Sequence, residues 1–461
     1  TNSIGSPSRG GDSASEAGGD LNESTSDMLM FGTDESSWFS AFVAPLSHVG
    51  GELIRILSAG EAGDVATCEP ALRFADDGTV VGLSEEFKVT IIGWLRDVRG
   101  VVFAAQNVTE YRMVYDWLFP DFSQVFPLLV NLFPNRPSLM VPMLRVLEEV
   151  TYNRNSRIKF PVTSAGGMVL FRECSRVVCM YGARVLATME ASSCEGSVED
   201  SPYSHRYKLT SLALSVGSRL VSGDYANLGL LELYNDTCFE DMRRIMLQLI
   251  LDVPVEQMSA HLKLQQRVFP AIQCLTSQDA EYLLCVAPDV LSAVLEHIRL
   301  GVRGVGTLVS SYANGALNDL ASLRFEALEA VKEPLPDYAN TAQRQLRAKH
   351  ERVVEALRAL DEFSEGVWVS LATSLFDTVL YEPRANQWSI SRPLLPLVLV
   401  DADAFQDYAR MLSETTGRGV PMVNGGVRRL LADLEPRLDA GMRRAFTVSL
   451  YNLARDVRDL L

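Results

Sequence analysis

Apolar residues recur along most of this chain at the spacing of an α-helix. Met242, Ile245, Met246, Leu249, Ile250 and Val253 follow i, i+3, i+4, i+7, i+8 and i+11. Val367, Trp368, Leu371, Ala372, Leu375, Phe376, Val379 and Leu380 hold the same stripe, and Ile91, Ile92, Leu95, Val98 and Val102 form another. A period of about 3.6 residues gathers such side chains on one face, where they can be buried together. Sustained alternation, the mark of a half-buried strand, is nearly missing, and Thr79–Leu83 is its one short candidate. Breakers separate the stripes at Pro134–Pro137, Gly166-Gly167, Pro254, Pro288, Pro334–Pro336, Pro383 and Gly417–Gly426. Asp121 with Gln124 three residues on reads as a capping box, and Pro288 suits a first helical turn.

The pattern predicts about twenty helices of roughly 10–20 residues joined by short turns. A bundle of that many helices would need several separate cores. Antiparallel helix pairs with a period of about 40–47 residues are the signature of HEAT or armadillo arrays. The expected fold is therefore all-α, a HEAT-repeat α-solenoid over 37–461, with longer loops at 60–83, 191–204 and 413–426 and a charge-rich helix within 337–363. Residues 1–36 differ. They carry seven acidic side chains against Arg9 alone, and Ser and Gly dominate residues 1–27. Such a stretch buries too little apolar area to offset its ordering entropy, so it is expected to be a disordered acidic tail.

Composition narrows the function. Hydrophobic residues make up 47% and charged residues 22% of the 461, as in a globular chain. Asp and Glu number 58 against 42 Lys and Arg, for a net charge of −16. A general nucleic-acid or anionic-membrane binder would be basic, so neither partner is expected. Charge of this sign suits basic protein surfaces, gathered on the face that one helix of each pair lines. No apolar run is long enough for membrane insertion, and no basic-then-apolar leader opens the chain. Seven cysteines without a CxxC read as reduced thiols packed in an intracellular protein, not as disulfides or a zinc site.

Motifs of chemistry are missing. His48, His205, His261, His297 and His350 include no pair at helical zinc spacing. Gly301, Gly304 and Gly306 begin like a dinucleotide loop, but Val309 stands at the third glycine position and no strand precedes it. There is no Walker lysine and no G-x-S-x-G elbow. The reading is a protein that is not an enzyme and needs no cofactor or metal.

Three stretches are more particular than helix packing requires. They are Ile92–Phe103, then Val141–Arg145 with Asn153–Phe160, Gly167–Glu173 and Tyr181–Arg184, and Asn386–Leu395. Gly223–Gly229 lies between the last two. Together they resemble the C-terminal part of an exportin of the importin-β-like nuclear transport receptors, in collinear order from about residue 89. The resemblance implies a HEAT-repeat superhelix that holds protein cargo, binds Ran in its GTP form, and passes nuclear pores by contacts with Phe-Gly nucleoporins, shuttling between nucleus and cytoplasm. In that family the main Ran-gripping repeats lie N-terminally, so this chain, which opens on Thr1, reads as the C-terminal arch. A Ran-independent scaffold or regulatory subunit is the alternative.

The residues themselves read mainly as structural. Trp388, at a helix start, is expected to wedge between helices, and its alternative role is an exposed docking residue for Phe-Gly repeats. Pro393 suits an N-terminal turn, where the Arg392 guanidinium would bridge carbonyls of the next repeat. Arg154 and Arg157 fit a loop at a helix end, with cations near its negative pole. Arg154, Arg157, Arg184 and Arg392 are the candidates for contact with an acidic partner surface.

Overall fold

In a computed structural model of the chain, the described residues are 23–459 apart from 77–78, 162, 193–206, 305, 337, 339, 383–385 and 416–419. The first half holds α1 (Glu23–Glu61), α2 (Val65–Cys68), a hairpin of β1 (Leu72–Phe74) and β2 (Val80–Leu83), α3 (Glu85–Ala104), α4 (Val108–Leu118), α5 (Val125–Leu132), α6 (Pro137–Val150), α7 (Gly166–Ser192), α8 (Lys208–Ser222), α9 (Leu228–Leu233) and α10 (Cys238–Leu251). The second holds α11 (Val255–Ala260), α12 (Leu262–Leu284), α13 (Pro288–Val302), α14 (Thr307–Lys332), α15 (Thr341–Phe363), α16 (Val367–Tyr381), α17 (Gln387–Val400), α18 (Ala402–Thr415), α19 (Val420–Ala432) and α20 (Ala440–Arg458).

The helices stack in two rows. One runs α5, α7, α10, α13, α16, and the other α3, α6, α8, α12, α14, α17, α20, each helix packed on the next. Pairs bridge the rows: α5 with α6, α7 with α8, α10 with α12, α13 with α14, and α16 with α17. This is the all-α solenoid that the periodicity predicts. A helix pair cannot bury its apolar faces alone, so neighbours share one core. That core is continuous from Leu53 to Val457. Repeat length varies more than expected. The step from Leu262 to Thr307 falls near the expected period, while α9, α15 and longer connections widen others.

Local signals account for most boundaries. Pro288 is the first residue of α13, as read from the sequence. Asn340 and Gln343 form a reciprocal capping box on α15. Asp121 and Gln124 do not, because they bracket a single 3-10 turn with no side-chain cap. Thr79–Leu83 does become strand, since β2 pairs antiparallel with β1, Leu72 opposite Leu83. Loop 60–83 thus contains α2 and this hairpin, and α18 and α19 reach into the expected loop 413–426. The expected loop 191–204 lies almost wholly outside the described residues. So do residues 1–22 of the expected tail. The described backbone is helical from Glu23, entering a stretch where Met28–Phe31 interrupt the polar composition.

Gly301 shows why a glycine that resembles a phosphate loop is here. It sits inside α13, and a Cβ there would run into the Phe269 ring and Ala313. Close approach of α12 and α14 requires it. Of the cysteines described, Cys68, Cys174 and Cys274 are buried and all are free thiols. Burial pushes the Cys274 thiol up to about 12, so it stays protonated.

Candidate partner-binding surfaces

A dense polar network ties down the segment after α6. Arg157 is fully buried. Its Nη1 donates to Val102 O at 2.8 Å and Ala105 O at 2.6 Å, at the C-terminal end of α3. Its Nη2 donates to Glu149 O at 2.8 Å and Glu149 Oε1 at 3.1 Å, and Nε to Tyr152 O at 3.1 Å. Helix ends leave carbonyls without intrahelical partners, and one guanidinium fork satisfies those of α3 and α6 together. Burial, and then the nearby Arg154 charge, lower its pKa, while Glu149 works against both. The sequence reading of a cation at a helix's negative pole was right for Arg157, but its candidacy for partner contact is corrected. A side chain with no exposed surface and all its donors used cannot touch a partner.

Arg154 closes the same knot from outside. It pairs with Glu149 and lies over the Phe103 ring at 4.6 Å and the Tyr152 ring at 5.1 Å. Asn155 and Ser156 take left-handed backbone conformations to make the turn. Asn153 Nδ2 donates to Gly223 O at 2.8 Å, and its Oδ1 accepts from Ile158 N at 2.7 Å. Gly167 lies against the backbone of Tyr225, where a Cβ would collide with the Tyr225 carbonyl. The separated stretches around 153, 167 and 223 thus meet at one junction between repeats.

Arg184 is exposed on α7. Trp388 and Arg392 are exposed on α17, Trp388 at 58%. The expected wedge is therefore corrected: Trp388 stands in the first turn of α17 with its ring turned to solvent. Trp388→Ala is expected to change stability by no more than about 0.5 kcal/mol in chemical denaturation. Pro393 is also not at the helix start but inside α17, together with Pro396. The bridging role expected of the Arg392 guanidinium belongs to Arg443, which sequence reasoning missed. From α20, Arg443 donates to Asn318 Oδ1 at 2.9 Å and Ser322 Oγ at 3.2 Å on α14, and to Arg392 O at 3.4 Å.

A second missed surface is apolar. Trp38 and Phe42, stacked at 5.5 Å, are exposed on α1 at 66% and 55%. They wall a groove of about 700 Å³ with Gly100, Val101 and Ala104 of α3 and Met113 of α4. Among the described residues no cluster of His, Cys, Asp or Glu could hold a metal, and no helix is long and apolar enough to cross a membrane.

No family model matches the chain. Single relatives do. Ran-binding protein 17 of Mus musculus is 29% identical over 381 residues, 82% of this chain and 33% of its own length. Exportin-7-B of Xenopus laevis is 25% identical over 433 residues, covering 94% and 36%. Ran-binding protein 16 of Drosophila melanogaster is 26% identical over 383 residues, covering 82% and 33%. The chain is similar to exportin-7 and to Ran-binding proteins 16 and 17. It spans about a third of the length of the curated relatives it matches. The chain has exposed grooves and cations, while the polar cluster around Arg157 is internal.

Proposed function

We propose that this chain is the C-terminal arch of an exportin-like nuclear transport receptor, carrying protein cargo between nucleus and cytoplasm under the control of Ran in its GTP form. The carrying observation is similarity to exportin-7 and Ran-binding proteins over 82–94% of the chain. An array with one continuous core and exposed grooves supports it, since such a body offers surface and elasticity without chemistry. Ran and cargo each tighten the other by a reciprocal coupling, typically about 1–3 kcal/mol or roughly 5–150-fold. Hydrolysis on Ran removes its share and cargo leaves. The exposed Trp38–Phe42 groove and Trp388 suit weak Phe-Gly contacts.

The test uses the full-length protein and immobilised Ran, loaded with GDP or with a non-hydrolysable GTP analogue. Retention on the GTP form at least tenfold above the GDP form is expected. Equal retention would discard the transport reading in favour of a Ran-independent scaffold.

A further inference from the structure

The row α3, α6, α8, α12 carries a groove of the opposite charge to the rest of the molecule. One cavity of about 560 Å³ lies between α3 and α6 and reaches Lys208 at the start of α8. A second, of about 510 Å³, lies between α6, α8 and α12. Arg145 and Lys208 belong to both walls, so the two are one channel across four helices. Its cations are Arg96, Arg99, Arg145, Lys208, Lys263 and Arg267, and neither wall contains a carboxylate. Arg267 pairs with Glu148 at 2.9 Å, a carboxylate that also takes Arg219 at 3.3 Å. The other five have no ion pair or hydrogen bond among the described residues. The buried arginines Arg157 and Arg324, by contrast, are paired with carboxylates inside the array. Five unpaired cations along one channel do nothing for the fold and repel one another. In a chain of net charge −16, that arrangement calls for an anionic ligand.

The lining says which anion. Ile92, Val141, Pro142 and Leu212 give the channel an apolar floor. No aromatic ring lines it for base stacking, and the net negative field opposes a long polyanion. No side chain caps the N-terminal ends of α6 and α12, which adds their partial positive charge. Three helix-to-helix steps of about 9 Å span roughly 27 Å. An extended peptide covers that with about eight residues, its alternate side chains facing the floor. We propose that this channel docks an acidic segment of a partner protein, Asp and Glu alternating with aliphatic residues. The inference stands apart from the transport reading and does not need Ran.

The test is fluorescence anisotropy of a labelled ten-residue peptide of alternating Glu and Leu against the intact chain. Its counterparts are the same peptide with Lys for Glu, and a ten-nucleotide oligouridylate. The acidic peptide is expected to bind and the basic one not, with at least tenfold weaker binding at 200 mM than at 50 mM salt. Arg145→Glu with Lys208→Glu should weaken it at least tenfold. Arg112→Glu with Arg410→Glu, the same charge change outside the channel, should leave it unaltered. Arg145→Gln alone, an exposed and conservative change, should cost about threefold even if the double variant folds poorly. Equal weakening by both double variants overturns the proposal. So does tighter binding of the RNA, or a dimer of the chain that Arg145→Glu with Lys208→Glu dissolves.

Discussion

Arg157→Ala is expected to destabilise the array by about 3–5 kcal/mol, the cost of breaking a buried ion pair from one side. The side chain leaves behind the Glu149 carboxylate, buried at 7% exposure and then held by Arg154 alone, and the carbonyls of Val102, Ala105, Glu149 and Tyr152. Each orphaned acceptor carries its own desolvation penalty. Arg157→Lys should rescue only part of the loss, because one ammonium with three donors cannot reproduce a five-contact fork. Glu149→Gln in the Arg157→Ala background should recover nothing, because Arg154 then loses its carboxylate partner as well. Repeat arrays can unfold in parts, so amide hydrogen exchange at the ends of α3 and α6 is the proper readout, beside a urea titration. Unchanged protection there would mean that Arg157 is not what closes these two helices.

What the sequence made legible divides along physical lines. Helix periodicity is written by burial against neighbours on one side, so stripes such as Met242–Val253 and Val367–Leu380 map onto α10 and α16 almost residue for residue. The β-hairpin was nearly missed because strands of three and four residues cannot show alternation. Arg157 lies in a polar loop, which reads as solvated. Its burial comes from the convergence of two helix ends that sequence cannot place. There was one signal: Glu149 occupies a position in α6 flanked by buried Leu147 and Val150, and a carboxylate there demands a cation. The cationic channel is less legible still. Arg99, Arg145, Lys208 and Lys263 are dozens of residues apart and become neighbours only when the repeats stack. Tryptophans show the sharpest difference. Trp388 was expected to be the wedge, yet it is Trp368, a member of the α16 stripe, that is buried at 2% exposure, as is Trp94 on α3.

Trp368→Ala is accordingly expected to cost about 3–5 kcal/mol, as a large truncation in a packed interior. Trp368 lies in the first turn of α16, and the Arg324 guanidinium from α14 stands over its ring at 5.0 Å. Arg324 in turn grips Asp401, just past the end of α17, through two bonds of 2.7 and 3.1 Å. Three helices of the array therefore meet at this indole. Truncation opens a cavity and strips the aromatic face from a guanidinium that is itself buried. The indole N–H, buried without a hydrogen-bond partner among the described residues, contributes nothing that would be lost. Trp368→Phe keeps an aromatic face and discards that orphaned donor, so it should recover most of the stability. Calorimetry of wild type, Trp368→Ala, Trp368→Phe and Trp388→Ala under one buffer decides the matter. The expected order of melting is wild type and Trp388→Ala together, Trp368→Phe slightly below, and Trp368→Ala far lower. If Trp388→Ala melts lowest, the ring exposed on α17 is a core residue after all, and α16 is not anchored through Trp368.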